Sequence, residues 1–230
     1  MTETHGEAAE IGTAIRPLVR PEPMRVHVQN ALRELIIKRM FEPGQHLVES
    51  EVAARLEVSR QPVREALQAL QLEGWIDLRV GRGAFVHTPT TREVNEAFAV
   101  RGVLEEESTR LATAATTADG FAQLREICRD GRHALEASDF DEVVAANARL
   151  HRRIAEFADN AVLAGVLGSI DQRVRWYFTP LARVRGADSW NEHDQIIEAM
   201  AAGDQRRAAT LMRRHTEHTR QAYNAAGNQA

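Results

Sequence analysis

Apolar positions in this chain keep a helical period at first, alternate briefly, and then resume a helical period as far as the pattern lasts. Val28, Ala31, Leu32, Leu35 and Ile36 recur every three or four residues, which predicts a first helix over 24–39. Glu42-Pro43-Gly44 ends it with a turn. A second short helix is expected from Ser50, as its N-cap, to Leu56. Ser59 can cap a third, because Pro62 then falls in the first turn, where a missing N–H costs little. Val63, Ala66, Leu67 and Leu70 form the buried stripe of that helix, Arg60, Gln61, Arg64 and Gln68 point away from it, and Gly74 stops it. Ile76, Leu78 and Val80 then alternate as a strand, Gly81-Arg82-Gly83 turns, and Phe85 and Val86 begin the return.

From about Thr91 the pattern is wholly helical. It predicts six helices, over about 91–116, 120–137, 140–158, 161–178, 189–202 and 204–223, with breaks or caps at Asp119, Asp139 and Ala202-Gly203-Asp204. The expected fold class is therefore mainly α: a winged helix-turn-helix with a small β-hairpin wing, then an all-α bundle. Three segments follow: a flexible tail over 1–20, which carries no periodicity; a DNA-binding domain over 21–88; and a helical effector-binding and dimerisation domain over 89–230. The short Thr88-Pro89-Thr90 link favours coupled motion of the two domains.

Composition narrows the class without naming it. Hydrophobic residues at 43% and charged residues at 27% suit a soluble globular protein. No apolar run approaches the roughly 18 residues of a membrane helix, and the N-terminus lacks a signal-peptide pattern, so no membrane partner is expected. Cys128 is the only cysteine, which excludes an intrachain disulfide and makes a cytoplasmic location the default. The net charge of −4 argues against a uniformly basic DNA-coating protein. It leaves sequence-specific binding open, since residues 21–88 hold nine Arg/Lys and nine Asp/Glu while residues 89–230 hold 18 against 21.

In a helix-turn-helix the N-terminal residues of the second helix of the motif meet base edges. Arg60 and Arg64, four apart, share one exposed face, and an arginine can donate two hydrogen bonds to guanine O6 and N7. Gln61 and Gln68 can contact adenine or phosphate. Arg79 and Arg82 flank the wing tip, where Gly81 allows close backbone approach to the duplex. The segment PGQHLVESEVAARLEVSRQPVREALQALQLEGWIDLRVGRGAFV, residues 43–86, resembles the GntR family of bacterial transcriptional regulators. That resemblance implies base contacts by Arg60 and Arg64 and a minor-groove approach by Gly81. Ser50 stands where some members carry an arginine.

The later helices carry polar residues inside their apolar stripes. One reads Phe140, Val143, Asn147, Leu150, His151, Ile154, Phe157; another Trp190, His193, Ile197, Met200; the last Ala208, Leu211, His215, Thr219. Buried polar groups need partners, and a shared metal ion would satisfy all of these together. His218 lies close to the face of His215 and is the alternative inner residue. Histidine suits zinc first, with nickel, manganese and iron as alternatives. Asn147 can add a carbonyl oxygen but no charge, so a divalent ion here would favour an anionic ligand. Arg101 lies in the stripe Val94, Ala97, Phe98, Arg101, Leu104, Ser108, with Glu105 one turn on as an internal partner. A carboxylate effector is the other partner for Arg101, and Arg173 is a second candidate effector contact.

The segments NARLHRRIAEFADN (147–160), NEHDQIIEAMAAGD (191–204) and AATLMRRHTEHT (208–219) resemble the ligand-binding FCD domain of the FadR-like branch of that family. The resemblance implies a divalent metal held by Asn147, His151, His193 and His215, with Asn147 where the family has Asp, and a small carboxylate effector. The expected protein is a homodimeric repressor, not an enzyme, that binds an inverted-repeat DNA operator and is released by a small organic acid. Two rivals are a metal-free regulator whose histidines hold an organic effector directly, and a helical-bundle metalloenzyme fused to a DNA-binding module, for which no general base is evident.

Overall fold

A computed structural model of the chain describes residues 22–227; the tail expected over 1–20 lies outside the described residues. The N-terminal part runs α1 (Met24–Ile37), β1 (His46–Leu47), α2 (Glu49–Arg55), α3 (Arg60–Leu72), β2 (Ile76–Arg79) and β3 (Gly83–Val86). The remainder runs α4 (Thr91–Ala115), α5 (Ala118–Glu136), α6 (Phe140–Phe157), α7 (Ala161–Phe178), a 3-10 turn over Thr179–Leu181, α8 (Ala182–Ala201) and α9 (Gln205–Gly227). A mainly helical chain with one small sheet is what the periodicity predicts.

Four local expectations change. The sheet has three antiparallel strands in the order β1-β3-β2, with His46 opposite Phe85 and Arg79 opposite Gly83. Strand β1 is too short for alternation to reveal it. Val48, not Ser50, precedes α2, and no side chain caps that helix; Glu49 and Glu51 supply negative charge to its first turn instead. Asp119 lies inside the first turn of α5, which is capped by the Thr117 hydroxyl accepting from Gly120 N–H. Helix α8 starts at Ala182, seven residues before the expected 189. Gly186 does not break it, since a Cβ there would lie 2.8 Å from Leu135 Cδ1, so the glycine permits close packing of α8 on α5.

Two large apolar cores form. One lies at the centre of the bundle and contains Leu124, Val143, Leu150, Ile154, Trp190 and Ile196. The other crosses between the two parts: Leu32, Ile36, Leu67, Leu70, Trp75 and Val86 pack with Val94, Phe98, Val174, Trp176 and Tyr177. Trp75 and Trp176 meet with ring centroids 5.1 Å apart. Arg175 donates to both carboxylate oxygens of Glu34 at 3.0 and 3.1 Å. The capping box at Thr90–Glu93 starts α4, and His87 lies between Asp77 (2.9 Å) and Glu93 (3.1 Å), which fastens the end of β3 to that start.

Candidate functional site

Two polar sites stand on this frame. The first is a groove between α3 and the β2–β3 wing, lined by Glu49, Ser50, Arg60, Arg64, Gln68, Arg79 and Gly81 among others. Helix α3 turns its apolar stripe inward, with Val63, Ala66, Leu67 and Leu70 buried, which leaves Arg60 and Arg64 outward. Both arginines reach Glu49 at the start of α2. Arg64 donates from Nε at 3.1 Å and from Nη2 at 2.8 Å, and Arg60 lies 3.5 Å away. The hydrogen bond from Arg64 holds the Glu49 carboxyl below its ordinary range. Arg79 stacks its guanidinium 4.1 Å from the Phe85 ring centroid, which fixes it beside the turn. Gly81 has φ +69° with open space around its missing Cβ, and the turn closes through Arg82 N–H to the Arg79 carbonyl at 2.9 Å. Arg82 is exposed on that turn. Gln61 does not join the groove: it donates to Glu65 at 2.7 Å and lines a separate hollow with Met24 and Arg25.

The second site is inside the bundle. Helices α6, α8 and α9 bring His151, His193 and His215 together, all buried, with ligand nitrogens within 4.8 Å of one another. Nε2 of His193 and Nε2 of His215 are 3.2 Å apart. Two nitrogens each about 2.0–2.1 Å from one tetrahedral ion would lie about 3.3 Å apart, so the spacing suits a shared zinc. Glu192 accepts from His215 Nδ1 at 2.7 Å, from His218 Nδ1 at 2.6 Å and from Arg185 at 2.7 Å. That fixes the His215 proton on Nδ1 and leaves Nε2 as a bare donor to a metal. His218, the alternative, is 40% exposed at its side chain and stays outside the cluster. Asn147, one turn before His151 on α6, is buried, and among the described residues neither its Oδ1 nor His193 Nδ1 has a hydrogen-bond partner.

Charge in this interior is balanced locally. Arg101 donates through Nε to Glu105 at 2.8 Å, the pair expected from their one-turn spacing. His151 Nδ1 also lies 2.8 Å from Glu105 Oε1, though out of line for a regular hydrogen bond. Burial opposes ionisation of Glu105, but the Arg101 charge and then His151 outweigh it and hold the carboxyl at about 2. Burial lowers His151, places His193 well below the usual imidazole range, and brings His215 to about 4. All three are neutral near pH 7, the form a metal requires. A cavity of about 250 Å³ adjoins His151, lined also by Arg101, Glu105 and residues of α6 and α7.

Arg173 corrects an expectation. It does not line this cavity; its guanidinium lies 4.7 Å from the Trp75 ring centroid and donates to the Glu73 carbonyl. It faces the winged part because the face of α7 that holds Leu167, Ile170, Asp171 and Val174 is the one turned to the cavity.

A model of the FCD domain matches residues 96–218, and one of the bacterial regulatory proteins, gntR family, matches residues 25–86. The chain belongs to the GntR family. Its C-terminal part is an FCD domain, consistent with the FadR-like branch. The Nta operon transcriptional regulator of Aminobacter aminovorans is 31% identical over 136 residues, 59% of this chain and 64% of that one. The HTH-type transcriptional repressor RspR of Escherichia coli is 30% identical over 138 residues, 60% of each chain. These two matches thus span less than two thirds of either relative. A putative GntR transcriptional regulator from Rhodococcus sp. RHA1 superposes with a TM-score of 0.76 at 25% identity, over 88% of this chain and 98% of that one. The matched families and relatives are transcriptional regulators, not enzymes, so the metalloenzyme rival is set aside.

Sequence reasoning missed Glu49 and Glu192 in this GntR-family chain. Glu49 is eleven and fifteen residues from its arginines, and only the angle between α2 and α3 unites them. Glu192 had a signal, as a carboxylate beside the inward His193.

Proposed function

We propose that this protein is a metabolite-responsive DNA-binding transcriptional regulator, a repressor released when a small carboxylate binds at a metal site in its FCD domain. Arg60, Arg64, Arg79, Gly81 and Arg82 meet double-stranded DNA, with Gln61 at the edge of that surface. A homodimer reads an inverted repeat, because one winged helix covers only a half-site and two-fold symmetry in the protein matches two-fold symmetry in the operator. His151, His193 and His215, with Asn147, hold a divalent ion, zinc before nickel, manganese or iron. When bound, the ion supplies positive charge that attracts an anionic effector beside Arg101.

One observation carries the reading: α7 lines the cavity with Leu167, Ile170 and Val174 and grips the winged part with Arg173, Arg175 and Trp176. A ligand that shifts α7 therefore has a direct mechanical route to the DNA-reading face. It moves that equilibrium only by its differential affinity for the two arrangements. Arg64→Ala is expected to abolish specific operator binding in a gel-shift assay while the dimer persists in sizing measurements; unchanged affinity would refute its role. Metal analysis of gently purified protein tests the other half. Wild type is expected to retain a divalent ion that His151→Ala and His193→Ala lose, and equal content in all three would sink the four-residue site.

A further inference from the structure

The cavity beside the histidines is built unevenly, and the unevenness speaks to what it accepts. Its lining combines the buried Arg101–Glu105 pair and His151 with the exposed Arg152 and the half-buried Asp171, 3.4 Å apart. The rest of the lining, apart from Glu156, is Ala155, Ala164, Leu167, Gly168, Ile170 and Val174, with no hydroxyl or amide side chain among them. Arg101 spends Nε on Glu105, and among the described residues its two terminal nitrogens have no hydrogen-bond partner. They form a fork matched to a carboxylate.

We infer that the effector is a small monocarboxylate with a short branched or otherwise apolar tail, not a polyhydroxylated sugar acid and not a dicarboxylate. This rests on the reading of the cavity as the carboxylate effector site. The carboxylate sits on the Arg101 fork, and the tail lies against Leu167, Ile170 and Val174 of α7. A volume of about 250 Å³ lies below the roughly 300–1,000 Å³ of drug-sized sites, which limits the ligand to a few carbons beyond its carboxylate. Each hydroxyl of a sugar acid would give up water against this wall and find no partner. A second carboxylate would face either aliphatic side chains or the acidic Glu156 and Asp171, with Arg152 already paired to Asp171. The residues that choose the tail are on the helix that holds the winged part, so tail recognition and the response share one element.

Calorimetric titration of the zinc-loaded full chain with 4-methylpentanoate, D-gluconate and succinate tests this. The expected result is binding of 4-methylpentanoate at least about tenfold tighter than either of the others, in line with the discrimination hydrophobic pockets achieve. Leu167→Asn should reduce that preference about tenfold while metal content stays at the wild-type level, which also shows that the variant folds. Arg101→Gln should weaken all three acids together. Tighter binding of gluconate or succinate overturns the inference but leaves the cavity as a carboxylate site. Failure of all three to bind removes the carboxylate reading itself, and the inference with it.

Discussion

At the scale of single residues, Glu49 holds the two arginines proposed to read DNA. In the free protein their charge is partly answered by one carboxylate, which must release them or share them when phosphates arrive. Glu49→Gln removes a negative charge from the groove. Affinity for random duplex should rise several-fold at low salt, because non-specific binding follows phosphate electrostatics. The ratio of operator to random affinity should fall; a gel-shift series in which random-DNA affinity is unchanged would show that Glu49 is electrostatically idle. Cys128 offers a second residue-level check. Burial, with Asp194 adding to it, pushes its thiol up to about 12, so almost no thiolate exists at pH 8. Ellman's reagent at that pH should leave the native protein essentially unmodified and titrate one thiol after denaturation.

The decisive element is α7. One face of it walls the cavity and the other grips Trp75, Glu73 and Glu34, so it belongs to both parts of the chain. Arg173→Ala deletes the stacking on Trp75 and the bond to the Glu73 carbonyl. A cation–π contact of this partly exposed kind is worth about 0.5–1 kcal/mol, so the fold should survive. Urea unfolding followed by circular dichroism and by tryptophan fluorescence should coincide in the wild type, since one core crosses the junction. In Arg173→Ala the two transitions should separate, and coincidence in the variant would argue that the joint depends on Trp176 and Arg175 instead. The periodicity of α7 was visible in the sequence. Which face it gave to which neighbour was not, because Arg173 between Ile170 and Val174 reads equally well as inward.

At the scale of the whole molecule, the proposed metal role of the histidine cluster and its burial make stability a function of metal and of pH that can be tested. A metal that binds only the folded chain stabilises it by about 2.7 kcal/mol at a hundred times its Kd. Zinc should therefore raise the melting temperature of chelator-treated wild type but not of His193→Ala, read by scanning calorimetry. The pH dependence of the metal-free protein has a definite sign. Burial lowers the folded-state values of all three histidines, His215 to about 4, against about 6.5 for an unfolded histidine. Between those values the unfolded chain binds more protons, so stability should fall as pH drops from about 6.5 toward 4. A melting temperature that stays flat over that range would mean the histidines are not buried neutral.

The sequence by itself determined the helical class, the outward arginines of α3, the wing and the inward histidines, because each is written in a period of two or of three to four that any window of neighbours reveals. It also pointed to Glu105 as the partner of Arg101, a contact within one turn of one helix. Only the tertiary structure decided that Glu49 holds Arg60 and Arg64, that Glu192 orients His215, that Arg173 belongs to the joint, and that α8 runs through Gly186 to Ala182. Each of these depends on the angle and distance between elements far apart in the chain, which packing sets and local period does not encode.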